Sequence, residues 1–118
     1  MNERIWEQVA SLADLKAAGG VMPAVFDRFK LALYLADDVV YATADLCSHG
    51  GARLSQGYLE GHLIECPLHQ GLFDIRTGEA AGLPCKRAVR TYPVRIEGDG
   101  IVVGFPPPLP ADSAAVGT

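Results

Sequence analysis

Basic excess, long apolar runs and cysteine are all scarce in this chain, and each shortage closes off a class of function. Ten Lys and Arg stand against fourteen Asp and Glu, a net charge of −4. The halves 1–59 and 60–118 each carry five bases and seven acids. Neither offers the basic surface that a nucleic-acid backbone requires. The longest apolar stretch, residues 31–36, has six residues, far short of the roughly 20 that a membrane-spanning helix needs. Charged and apolar side chains alternate over residues 1–10, without the apolar core of a signal peptide. Export and membrane insertion are therefore not expected, and a reducing cytoplasm is the expected setting. Three cysteines are too few, and of the wrong parity, for a disulfide framework. No fixed-period repeat or heptad is visible.

What is present suits one domain. The 118 residues are 49% apolar and 20% charged, enough for a single core and too little for two. Short β-type runs recur every eight to twelve residues with turn residues between them, the pattern of an antiparallel sandwich or barrel. Strands are expected over 6–9, 24–26, 30–35, 39–43, 58–60, 62–65, 72–75, 89–96 and 101–105. Ser11 is placed to cap a short helical turn that Gly19 and Gly20 stop. Asp37-Asp38, Gly61 and Gly98-Asp99-Gly100 are hairpin turns in waiting. The Pro-rich residues 106–118 have no strand or helix period, so the domain is expected over 1–105 with 106–118 as a tail.

Chemistry concentrates between residues 44 and 71. Cys47-Ser48-His49 and Cys66-Pro67-Leu68-His69 are two mixed Cys/His pairs separated by the sixteen residues 50–65. Each pair is short enough to reach one metal centre from a tight loop, and the hairpin between them brings the loops together. Gly50, Gly51 and Gly71 permit close approach of backbone N–H groups to a charged centre. Zinc accepts two Cys and two His, but zinc fingers keep like ligands together. An iron–sulfur cluster with two Cys on one iron and two His on the other needs a ligand to each iron from each loop, which mixed pairs supply.

At these residues the chain resembles the Rieske family, whose pattern is Cys-x-His, a spacer, then Cys-x-x-His. The likeness runs from about Val39 to Phe105. It implies an all-β fold, an antiparallel sandwich with a small cluster-binding subdomain of two loops, holding one 2Fe-2S cluster. Cys47 and Cys66 would bind the buried iron, His49 and His69 the outer one. Gly82-Leu83-Pro84 is similar to the family's loop that covers the cluster. The flanks 42–50, 57–61 and 65–71 are similar to the small ferredoxins of bacterial aromatic-ring dioxygenases. That resemblance implies a monomeric one-electron carrier, no catalyst itself, fed by a flavin-dependent reductase and emptied by a terminal ring-hydroxylating oxygenase. Respiratory members carry two further Cys, joined as a disulfide, and Ser and Tyr hydroxyls near the cluster; the matching positions here are Ala52, Leu68, Gly71 and Phe73. Fewer hydrogen-bond donors imply a potential near the bottom of the Rieske window of about −150 to +300 mV.

Other residues have plainer expectations. His62 is expected as a solvent-facing strand residue and Cys85 as a buried, inert thiol. Lys86, Arg87, Arg90 and Arg95 read as the wet face of a strand. Asp45, Glu60 and Glu65 suit either a docking surface or a solvated acidic rim. No His follows His69, so the mononuclear iron site of an oxygenase cannot be built. A Rieske-like subunit of a larger reductase, of the nitrite reductase type, and a zinc-stabilised structural module are the alternatives.

Overall fold

The computed structural model describes residues 4–46, 52–68, 71–82 and 87–106. Among them, eleven short strands form three antiparallel sheets. The first sheet has the order β1-β11-β10, from Ile5–Ser11, Gly100–Phe105 and Val94–Glu97. The second is β2-β3-β4-β9, from Val21–Phe26, Phe29–Ala36, Val39–Ala44 and Thr91–Tyr92. The third is β5-β6-β7-β8, from Tyr58–Glu60, Leu63–Glu65, Leu72–Asp74 and Ala80–Gly82. This is the all-β, antiparallel layout the sequence leads one to expect.

Local chemistry accounts for the turns. Asp37 and Asp38 both take positive φ, 52° and 63°, while Ala36 pairs with Val39. That is a two-residue turn of the mirror-image kind, which matches strand twist and tolerates Asp. Ser11 Oγ accepts from Asp14 N at 3.1 Å and starts helix α1 (Leu12–Ala17). Gly19 and Gly20, at φ 85° and 94°, end it. Glu97 pairs with Gly100 across Gly98 at φ 64°, so the glycines there make a hairpin.

The apolar run at 31–36 lies in β3 and is buried on both faces. Leu31 and Leu33 join a core between the first two sheets with Leu15, Ile101, Val103 and Phe105. Ala32, Tyr34 and Ala36 join a second core with Leu54, Ile64, Cys66, Phe73, Ile75 and Val89. Period-two alternation in one strand thus supplies two cores. The Tyr34 hydroxyl lies 2.8 Å from Thr43 Oγ1, which itself donates to the Ala44 carbonyl at 2.9 Å. Tyr34 is therefore the donor, and burial pushes its ionisation well above the usual tyrosine range.

Two expectations need correction here. A single strand over 89–96 does not form: Val89 and Arg90 lie outside any strand, and Pro93 separates β9 from β10. Proline has no N–H for a ladder. Its carbonyl accepts from Gly104 N at 3.0 Å, and the chain passes there from the second sheet to the first. Arg87, Arg90 and Arg95 are exposed as expected, though only Arg95 is on a strand, its guanidinium 3.9 Å from the Trp6 ring centre. Residues 83–86, with Lys86 and Cys85, and the tail beyond Pro106 lie outside the described residues.

Replacing Thr43 by Val keeps the shape but leaves the Tyr34 hydroxyl buried without a partner. The expected loss is about 1–3 kcal/mol, read as a lower urea midpoint; an unchanged midpoint contradicts this account of the bond.

Candidate metal centre

The third sheet and its approaches form the predicted site. Leu46 and Arg53 pair as an isolated antiparallel bridge, so backbone pairing closes a loop around 47–52. Cys66 N donates to the Gly71 carbonyl at 2.7 Å and closes a second loop around 67–70. Each loop carries one of the predicted Cys/His pairs. Both loop bases meet at the same apolar cluster, because Ala52 packs against the group of side chains that contains Cys66.

Of the four predicted ligands, Cys66 is described: it is fully buried, at 0% exposure, and in no disulfide. Cys47, His49 and His69 lie outside the described residues, as do Gly50 and Gly51. Gly71 is buried and its observed role is as the carbonyl acceptor for Cys66 N. Leu46 and Leu68, the neighbours of Cys47 and His69, are 50% and 58% exposed. Among the described residues the predicted donors are thus represented by one buried, unpaired thiol, a ligand type that suits an iron–sulfur centre.

Asp45 departs from its expectation. It is 3% exposed, neither an acidic rim nor a docking charge. Its Oδ1 accepts from Ser55 N at 2.8 Å and its carbonyl accepts from Leu54 N at 2.6 Å. Its own N donates to the Lys30 carbonyl at 2.9 Å. The 3-10 turn Leu54–Gln56 has no side-chain cap of its own, so Asp45 satisfies the free N–H groups at its start from across the loop. One residue thereby ties the entry of the first loop to its exit and to β3. Sequence showed only an Asp two residues before a Cys; its burial depends on the turn that folds over it.

Backbone contact brings the same turn against the second loop. A Cβ on Gly57 would strike the Glu65 carbonyl, so glycine is required where the 3-10 turn runs past the end of β6. Gly78, at φ 81°, is similarly pressed on Val89 and accepts from Val89 N at 2.8 Å. That bond holds the β7–β8 turn against the base of the domain. The same turn is braced by Arg76, which donates to both carboxylate oxygens of Asp74 at 3.0 and 2.8 Å. The Arg76 hydrogen bonds hold the Asp74 carboxyl below the usual carboxylate range.

His62 is not a solvent-facing strand residue. It sits in the β5–β6 turn, its side chain 24% exposed. Its ring meets Tyr41 edge-on at 5.8 Å, Nε2 lies 3.7 Å from Asp37, and its carbonyl accepts from Ile75 N at 2.9 Å. It joins the third sheet to the β3–β4 hairpin.

Asp45→Ala removes the cap and leaves the Ser55 N–H without its acceptor. Stability is expected to fall by about 1–2 kcal/mol and the iron bound per chain to fall with it, measured by urea unfolding and iron assay. Retention of both values overturns the bracing role.

The comparisons with known proteins agree with this geometry. Residues 5–93 match the family described as Rieske [2Fe-2S] domain. The chain is similar to the ferredoxin component of the naphthalene 1,2-dioxygenase system of Pseudomonas putida, at 48% identity over 92 residues, 78% of this chain and 88% of the relative. It is similar in structure to the ferredoxin of carbazole 1,9a-dioxygenase from Nocardioides aromaticivorans IC177, with TM-score 0.79 and 39% identity over 85% of this chain and 97% of that one. A chain in the solved complex of reduced oxygenase and oxidized ferredoxin in carbazole 1,9a-dioxygenase gives TM-score 0.78 at 35% identity, covering 90% of this chain and 98% of that one. Two closed loops on one apolar cluster, over a match spanning most of the described chain, make this protein a member of the Rieske [2Fe-2S] domain family.

Proposed function

We propose that Cys47, Cys66, His49 and His69 hold one Rieske 2Fe-2S cluster, with the two thiolates on the inner iron and the two imidazoles on the outer one. The meeting of both loop bases at the cluster of side chains that includes the fully buried Cys66 carries this reading. When bound, such a cluster takes up and gives back a single electron. The chain's own part is to hold and shield it. Cys66 keeps a thiolate away from water, and Ile64, Phe73 and Ile75 exclude solvent around it. The Asp45 and Gly71 hydrogen bonds brace the chain at the bases of the two loops. Leu46 and Leu68, each one residue from a predicted ligand, are exposed, which supports a centre that a partner can approach.

The role is electron carriage, as a ferredoxin of the aromatic-dioxygenase type. Relatives named as dioxygenase ferredoxin components support it over a reductase subunit or a zinc module. Electrons would come from a flavin-dependent reductase and go to a terminal ring-hydroxylating oxygenase, a donor and an acceptor of one electron each. The protein would act as a cytoplasmic monomer, with 1–105 as the working domain and 106–118 as a tail. No helix among the described residues is long and apolar enough to cross a membrane.

Anaerobically prepared protein is expected to be coloured and, once reduced, to give an electron paramagnetic resonance signal with an average g value below that of a free electron. Alanine at any of the four ligands should remove the colour and the iron; a colourless protein holding zinc overturns the reading. The midpoint potential is expected below about 0 mV, in the lower part of the Rieske range. A hydroxyl introduced by Gly71→Ser or Phe73→Tyr should raise it, because donors to the cluster sulfurs stabilise the more electron-rich reduced state. Voltammetry that finds no shift in either variant contradicts the donor argument.

A further inference from the structure

The third sheet has two unlike faces. Leu59, Ile64 and Phe73 turn into the core that holds Cys66. Alternation then sends Tyr58, Glu65 and Leu72 to the other face as one cross-strand row, and Glu60, Leu63 and Asp74 as the next. Tyr58, Glu60, Leu63, Glu65 and Leu72 line a groove of about 230 Å³ on that face. Tyr58 is 73% exposed, the most exposed large apolar side chain among the described residues.

Charge on this face is uncompensated. Arg76 neutralises Asp74, but neither Glu60 nor Glu65 has a cation partner among the described residues. Two free carboxylates thus flank an apolar floor of Leu63 and Leu72, with a phenol ring standing at its edge. Glu65 is the residue immediately before Cys66, so whatever seats here lies one residue from a predicted cluster ligand.

We propose that this outer face is a docking surface for the cationic face of the electron acceptor, a terminal oxygenase presenting Lys or Arg around an apolar centre. The proposal rests on the electron-carrier reading above. Lys or Arg ammonium and guanidinium groups complement Glu60 and Glu65, and a guanidinium can also lie over the Tyr58 ring. Opposite charges at the rim of a small apolar contact speed encounter while keeping the complex short-lived. A carrier that must release its partner after each electron requires that combination.

The test uses cluster-loaded, reduced protein mixed with the oxygenase of the naphthalene 1,2-dioxygenase system, following reoxidation by stopped flow over a range of salt. Glu60→Gln with Glu65→Gln should slow the second-order reaction about tenfold at low salt and meet the unaltered protein's rate at high salt. Tyr58→Ser should slow it several-fold at every salt concentration. The potential and visible spectrum of each variant are recorded alongside, which separates docking from driving force. If Glu65→Gln disturbs either, Glu60→Gln and Tyr58→Ser alone decide the matter. Rates within about twofold of the unaltered protein in these variants overturn the docking surface. Slowing confined to reduction by a flavin reductase overturns its assignment to the acceptor, and a dimer lost in Tyr58→Ser shows the face to be a contact between two copies. Should the unaltered reduced protein pass no electron to the oxygenase, the electron-carrier reading itself fails, an outcome distinct from variants that match an active parent.

Discussion

Strand β3 is covered on both sides, and the site depends on that arrangement. Leu31 and Leu33 anchor it in the core between the first two sheets, while Ala32, Tyr34 and Ala36 form the floor under the third sheet. A strand covered on one face alone would support a sandwich and leave the loop-bearing sheet without a base. With both faces apolar, displacement of β3 disturbs two cores at once, and interiors packed like organic crystals do not absorb such shifts. The Tyr34–Thr43 hydrogen bond settles the polar groups that this double burial encloses. Asp45 N then takes the Lys30 carbonyl, carrying the rigidity of β3 to the residue that braces the first loop.

The loops themselves are held by backbone as much as by side chains. The Leu46–Arg53 bridge and the Cys66–Gly71 hydrogen bond join the chain on either side of each. Gly57 allows the end of one loop to run directly against the strand that leads into the other.

Much of this was legible in the sequence, for reasons that differ by residue. Tight turns carry their signal locally: Asp37-Asp38, Gly98 and the Ser11 cap act within four residues, and each turned up as expected. The family was legible from the two Cys/His pairs, whose order and gaps carry the resemblance that the match over residues 5–93 bears out. Pro93 was legible but underused, since a proline inside a strand-like run marks a break. Asp45 was not legible, because its partners at Leu54 and Ser55 reach it only after the first loop folds back. His62 likewise owes its place to Tyr41 and Asp37, which belong to the β3–β4 hairpin.

Charge shows how an even distribution along the chain becomes uneven in space. The two halves have equal counts of bases and acids, yet residues 52–82, which build the third sheet, hold two Arg against four Asp and Glu. One of those Arg is spent on Asp74. Elsewhere cations lie over aromatic rings: Arg28 on Phe29, Arg90 on Tyr92 and Arg95 on Trp6. Among the described residues none of them forms an ion pair with a carboxylate of the third sheet. Negative potential therefore gathers on the sheet that bears Cys66, while the rest of the domain is closer to balance. A net charge of −4 says little by itself; the proposed docking surface relies on its concentration on the third sheet.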